Sequence, residues 1–210
     1  MENDPDAQAR IKKSCELLDV KEGMTVLDVG CHKQEARNYL PENIRYCGID
    51  VDKNHVKTVV ADIDGGFSIK EKVDRILCLE VLEHLEIPGG TLQSIASNLK
   101  DDGIAVISLP NEATLFHRLR CLFGIVDQEC FQYGGKHLHL PSLGQSRAFL
   151  KQYFVIEDQS FYISQKAIGS KQKMLRVMLK FFPKALLYLL AKVLPSLFAR
   201  GFIFKLRKKC

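Results

Sequence analysis

Residues 24–30 read Met-Thr-Val-Leu-Asp-Val-Gly, and residues 46–50 read Tyr-Cys-Gly-Ile-Asp. The first stretch is an apolar strand that runs into a glycine turn. The second is another strand, and it ends on an acid 20 residues after Gly30. A glycine at such a turn lets main chain approach a ligand closely. A short carboxylate at the next strand end can accept two hydrogen bonds from a ribose. The pair predicts a nucleotide-type cofactor site in an α/β fold.

The flanking sequence extends this pattern. Ala7, Ile11, Cys15 and Leu18 recur at helical spacing and predict a helix over residues 6–19. A helix is expected over Gln34–Leu40, stopped before Pro41. Strands are expected at Arg45–Val51, Thr58–Ile63 and Arg75–Leu79. Gly89–Leu99 reads as a helix, and Asp-Asp-Gly at 101–103 as the turn into the strand Ile104–Leu109. Residues 112–123 read as helical. Residues 124–141 lack a period and are expected to be a functional loop or lid. A helix over Pro141–Lys151 and strands over Phe154–Ile163 and Ala199–Lys208 complete the reading. Strands alternating with helices imply crossovers and a mostly parallel sheet.

A chain of 210 residues suits one domain, or one domain with an appendage. Its seven cysteines are scattered and show no Cys-x-x-Cys spacing, which argues against a zinc ribbon or disulfide framework and for a reducing, cytoplasmic setting. The acidic N-terminus, Met-Glu-Asn-Asp-Pro-Asp, does not look like a signal peptide. The net charge of +5 hides a split: residues 166–210 carry 12 Lys and Arg and no acid, whereas residues 1–165 carry 18 basic residues against all 25 acids.

On these motifs the chain resembles the class I S-adenosylmethionine (SAM)-dependent methyltransferases. Val26-Leu27-Asp28-Val29-Gly30-Cys31 resembles their first motif, and Gly48-Ile49-Asp50 the ribose-binding strand end. Ala61-Asp62-Ile63 resembles the adenine-contacting step. Leu79-Glu80-Val81-Leu82-Glu83-His84-Leu85 resembles the motif after the fourth strand, and Ile107-Ser108-Leu109-Pro110-Asn111 the end of the fifth. The resemblance covers about residues 20–112. It implies a Rossmann-like seven-stranded sheet with an antiparallel last strand. It also implies SAM as cofactor, contacted by Asp28, Gly30, Cys31, Asp50, Asp62, Ile63 and Glu80. Residues 1–165 and 200–210 would form the core, with residues 166–199 a basic helical insertion between strands six and seven. One departure stands out. The family pattern places glycines two and four residues after Gly30, where this chain has His32 and Gln34. Side chains there restrict the backbone, so a non-catalytic scaffold with a closed cofactor loop is an alternative reading.

Glu80, Glu83 and His84 can gather at the carboxyl edge of the sheet, where α/β ligands bind. Two carboxylates and an imidazole suit a divalent ion such as Mg²⁺, which would lower the pKa of an acceptor hydroxyl. Ubiquinone-biosynthesis O-methyltransferases and small-RNA 2′-O-methyltransferases share this spacing and use it for metal. The rival reading makes His84 a general base, or makes Glu83 and His84 shape the acceptor pocket. His137-Leu138-His139 is the next candidate, with His139 preferred as a base because Leu-Pro follows it.

Residues 171–198 mix aliphatic residues with Lys and Arg and contain prolines at 183 and 195. No charge-free run approaches the roughly 20 residues of a spanning helix. The pattern fits amphipathic helices on an anionic membrane surface, or a homodimer contact. Nucleic acid fits less well, because aliphatic residues outnumber polar ones. The expected activity is methyl transfer to a hydroxyl, or to a carboxylate or amine, on a small apolar or lipid-linked acceptor. RNA 2′-O-methylation is a further alternative.

Overall fold

The computed structural model describes residues 4–53, 59–124, 137–139, 141–163 and 184–209. Helix α1, Pro5–Leu18, starts where the Asp4 side chain accepts the Asp6 N–H and a proline occupies the first turn. It ends at Asp19, which takes the left-handed conformation common after a helix. Strand β1, Thr25–Val29, follows, then β2 (Arg45–Asp50), β3 (Val59–Val60) and β4 (Val73–Leu79). Helix α2, Pro88–Asn98, leads into β5, Leu99–Pro110. Helices α3 (Leu115–Leu122) and α4 (Leu143–Leu150) precede β6, Phe154–Tyr162. Helix α5, Lys184–Val193, and a single helical turn, Pro195–Phe198, lie between β6 and β7, Gly201–Lys208.

The strands form one seven-stranded sheet in the order β3-β2-β1-β4-β5-β7-β6. β1 to β5 pair in parallel, and β7 runs antiparallel to both β5 and β6. This is the Rossmann-like arrangement expected, with its antiparallel last strand. Alternation along each strand feeds two cores. Val26, Leu77, Val106 and Ile203 face Ile11, Cys15 and Leu18 of α1. Leu27, Ile76, Ile107 and Phe204 face the side that holds Leu92 and Ile95 of α2 and Leu150 of α4. Val29 pairs with both Ile49 and Cys78, and Cys78 pairs with Ile107. The carboxyl ends of β1, β2, β4 and β5 are therefore level, and the segments that leave them share one edge.

Several boundaries differ from expectation. Residues 34–40 form only a tight 3₁₀ turn, Glu35–Tyr39, because the left-handed Gln34 and the extended Leu40 bracket it. Among the described residues the third strand is confined to Val59–Val60, and Thr58 lies outside them. Beyond it, Asp62 turns the chain by accepting the Asp64 N–H. The expected turn at 101–103 is absorbed into a longer β5, whose pairing with β4 shifts register between Val73 and Arg75. α3 starts three residues later than expected, at the Thr114 cap, so Asn111 and Glu112 remain at the sheet edge. Of the expected loop at 124–141, only Gly124, residues 137–139 and Pro141 fall within the described residues, and Lys136 does not. Residues 164–183, which include much of the basic tail, also lie outside them. No described helix is long and apolar enough to cross a membrane.

Candidate functional site at the carboxyl edge

The loop after β1 keeps the path that glycines would take. Gly30 has φ +70°, and its N–H donates to the Ile49 carbonyl at 2.8 Å. A Cβ on Gly30 would stand 2.4 Å from Val81 Cγ2, so Gly30 permits both the turn and the close packing of the β4 exit. His32 and Gln34 adopt φ 43° and 59°, inside the left-handed region. These conformations cost a residue with a side chain about 1–2 kcal/mol each. The His32 N–H donates to Asp50 Oδ2 at 2.7 Å, and the Asp52 N–H to Asp50 Oδ1 at 2.9 Å. These bonds hold the Asp50 carboxylate rigidly at the end of β2.

Asp28 lies beneath this loop and is buried. It accepts a short hydrogen bond from the Tyr46 hydroxyl on the neighbouring strand. Burial pushes its carboxyl up to about 7; the Tyr46 bond pulls it down and the Asp50 charge pushes it up again. Cys31, also buried, has its thiol pushed up to about 12 by burial and by Asp28 and Asp50. Asp62 is exposed next to the buried Ile63, whose carbonyl accepts from Thr91 Oγ1 at 2.7 Å. The neighbouring Asp64 is structural: it accepts the N–H groups of Glu86 and Ile87, each at 2.7 Å.

The β4 exit carries the acids. Glu80 has φ 56° and turns its side chain toward Ser108 Oγ (3.3 Å), the Tyr162 hydroxyl (3.4 Å) and Arg10 (3.8 Å). Burial raises its pKa against the pull of Arg10, Arg200 and His137. Glu83 sits in a short 3₁₀ turn, Leu82–His84, and is 1% exposed. Neither of its carboxylate oxygens has a hydrogen-bond partner among the described residues. A buried carboxylate without partners costs several kcal/mol. It responds by holding its proton: burial, then the Glu80 charge, raises Glu83 to about 8.

His137, not His139, meets this acid. Its Nε2 lies 4.0 Å from Glu83 Oε1, and its Nδ1 lies 3.2 Å from Glu112 Oε1. Glu112 in turn faces Arg200 at 3.8 Å. The Glu112 hydrogen bond is the main reason that the His137 pKa is raised, and the same bond lowers that of Glu112. The His84 ring stands edge-on to His137, with centroids 4.8 Å apart. His139 has another task. Its Nε2 is 2.9 Å from the Leu85 carbonyl, and its N–H and that of Leu138 donate to the Glu83 carbonyl at 3.1 and 2.7 Å. His139 anchors the segment, and His137 presents the imidazole.

Among the described residues, the metal-type donors that converge are Glu83, His84 and His137, with ligand atoms within 4.8 Å of one another. Glu80 does not join them, because Ser108, Tyr162 and Arg10 engage it. Sequence reasoning overlooked Glu112, although an acid just past the end of β5 was a readable signal. It also overlooked Tyr46, Arg10 and Tyr162, whose roles require knowledge of strand register and helix placement.

A family model described as a methyltransferase domain matches residues 6–159. The chain is 22% identical over 126 residues to the (S)-tetrahydroprotoberberine N-methyltransferase of Eschscholzia californica, a match covering 51% of this chain and 36% of that protein. The chain thus spans about a third of the length of the curated relatives it matches. Its fold is similar to that of the N-methyltransferase NodS from Bradyrhizobium japonicum in complex with S-adenosyl-L-homocysteine, with TM-score 0.63 at 15% identity over 100% of this chain and 90% of that one. It is also similar to the cyclopropane synthase MmaA2 from Mycobacterium tuberculosis, with TM-score 0.62 at 16% identity over 95% and 83%.

Proposed function

Because the chain belongs to the methyltransferase-domain family, we propose that it moves a methyl group from SAM to a hydroxyl on a small apolar or lipid-linked acceptor. In this reading Gly30 and Cys31 carry the loop against the amino-acid end of the cofactor. Asp50, preset by its two N–H donors, accepts from the ribose hydroxyls. Asp62 and Ile63 meet the adenine. Asp28 holds the loop from below through Tyr46, and Glu80 closes the floor beside it.

Glu83 carries the acceptor side of the proposal. It is a buried carboxylate whose two oxygens have no hydrogen-bond partner among the described residues, at the carboxyl edge of the sheet. It and His137 are placed to take the acceptor's proton as the oxygen attacks the methyl carbon. The sulfonium leaves in line as neutral thioether, and positioning supplies much of the rate. Near neutral pH both groups tend to hold their protons, Glu83 up to about 8 and His137 because its bond to Glu112 raises it, so the basic form of the pair grows as pH rises. His84 shapes the pocket.

A second reading has an amine as acceptor. Several proteins that this chain resembles are named N-methyltransferases, and a buried acid pair also suits an ammonium that must shed a proton before attack. As a third element, Glu83, His84 and His137 form a donor set for a divalent cation, which when bound would stabilise a developing alkoxide.

The test is Glu83→Gln, studied by calorimetry with S-adenosylhomocysteine and by turnover on lipid alcohols and amines, with and without Mg²⁺. Binding within threefold of wild type with turnover lost is the expected result. Loss of cofactor binding in the variant would remove Glu83 from the acceptor side. Failure of the wild-type protein to bind S-adenosylhomocysteine would end the methyltransferase reading.

A further inference from the structure

Two apolar segments leave the sheet at the edge that holds Glu83 and His137. α3 follows the end of β5, and α5 with the Pro195–Phe198 turn leads into β7, whose Gly201 pairs with Pro110 at that same end. The two are tied together. α3 packs on the Pro195–Phe198 turn. Asn111, 1% exposed, donates from its amide to the carbonyls of Ala199 (2.8 Å) and Ser196 (3.2 Å), and its N–H donates to Arg200 at 2.9 Å. The next residue is Glu112, the partner of His137. A buried side chain therefore pins the base of α5 beside the acceptor-side groups.

Both segments turn large apolar side chains to solvent. Leu122 and Phe123 at the end of α3 are 76% and 75% exposed, and Leu119 is also exposed. On α5, Leu189 and Val193 are 55% and 67% exposed, followed by Leu194. Scattered exposed apolar residues are ordinary. Six on two adjoining segments are not. Charge selects the occupant. Residues 115–124 contain His117, Arg118 and Arg120 and no acid, and residues 166–210 contain no acid either. A second copy would bring the same positive charge against itself. At about 1.5 Å per residue, the 10 residues of α5 reach about 15 Å, half the hydrocarbon thickness of a bilayer.

We propose that α3 and α5 together form a surface that docks flat on an anionic lipid bilayer, with the acceptor-side mouth at its margin. Apolar side chains enter the headgroup boundary while the cations meet anionic headgroups. An acceptor with an apolar tail could then pass from the bilayer to Glu83 and His137 without crossing water. Only this last step rests on the proposed methyl transfer; docking does not depend on it.

The experiment is co-sedimentation of the full chain with phosphatidylcholine vesicles, with and without phosphatidylglycerol. It is repeated for Leu122→Glu with Phe123→Glu and for Leu189→Glu with Val193→Glu. These side chains are exposed, and S-adenosylhomocysteine binding or far-UV circular dichroism checks that each variant is folded. Wild type is expected to pellet with anionic vesicles and far less with neutral ones. Each double variant should weaken the partition by at least about tenfold, since it removes two apolar side chains from the headgroup boundary and places two anions there. Wild type left in the supernatant with both vesicle types would overturn the proposal. So would double variants that bind like wild type, or a dimer or RNA complex formed through these residues by a chain indifferent to lipid. Because vesicle binding is read without turnover, its failure is separable from failure of the methyltransferase reading.

Discussion

Asp28→Asn should make the ligand-free protein more stable at pH 8. Asp28 is 4% exposed, and its carboxyl is raised by burial from 3.8 to about 7 in the folded chain. Between those values the unfolded chain has released its proton while the folded chain still holds it, so folding stability falls as pH rises. The contribution is fully present below about pH 4 and is lost above about pH 7. At about 1.36 kcal/mol per pH unit, the difference amounts to about 4 kcal/mol of destabilisation above pH 7. Asn carries no titrating proton, and its amide oxygen can still accept from Tyr46. The variant should therefore exceed wild type by up to about 4 kcal/mol at pH 8, and the gap should narrow to about 2 kcal/mol at pH 5. Urea unfolding followed by far-UV circular dichroism measures this; the chain has no Trp to report by fluorescence. Glu80 and Glu83 titrate abnormally too, but they are common to both proteins and cancel in the comparison. Wild-type and variant stabilities that run parallel from pH 5 to pH 8 would refute the reasoning, because Asp28 would then be ionised and compensated in the folded state.

The other predictions concern single contacts. Glu112→Gln should lower the His137 pKa, because the Glu112 hydrogen bond is the main cause of its elevation; a histidine Cε1–H titration by NMR reads this directly, and an unchanged midpoint would dissolve the pair. Gly30→Ala should destabilise the fold and weaken S-adenosylhomocysteine binding, through a φ penalty of about 1–2 kcal/mol and overlap with Val81. Adding Val81→Ala should recover the overlap but not the φ penalty, so thermal unfolding should show partial rescue, and full rescue would contradict the backbone argument. Gly90→Ala should admit no such rescue, because its Cβ would meet the Gly65 carbonyl oxygen at 2.2 Å and both partners are main chain.

The legible parts of this protein are those whose cause is local. β1 could be bounded at Thr25–Val29 because an apolar run met the polar Lys21-Glu22-Gly23 on one side and a glycine on the other. β2 and β6 fell within a residue of expectation for similar reasons. Periodicity failed where cap and turn chemistry overruled it. Residues 34–40 have helical composition, yet a left-handed Gln34 leaves room for only one tight turn. Asp-Asp-Gly at 101–103 has turn composition, yet it lies within β5, in the irregular stretch between Leu99, which pairs with Val73, and Ile104, which pairs with Arg75 and Arg207.

The site divides along the same line. Strand-end chemistry is written in short motifs, so Gly30, Asp50, Glu83 and the edge they share could be read from the chain alone. Which groups meet across that edge depends on contacts between residues far apart in sequence. Glu83 and His137 are 54 positions apart, and Asp28 meets Tyr46 only because β1 and β2 pair in one particular register. Spacing favoured His139 as the base; packing gave that residue to the Leu85 carbonyl and left His137 between Glu83 and Glu112. Local sequence sets which elements form and where the ligand edge lies, because backbone propensity and turn chemistry act over a few residues. The pairing of side chains, and with it the proton chemistry, belongs to the folded chain, because burial and a contact of about 4 Å exist only after distant elements have packed.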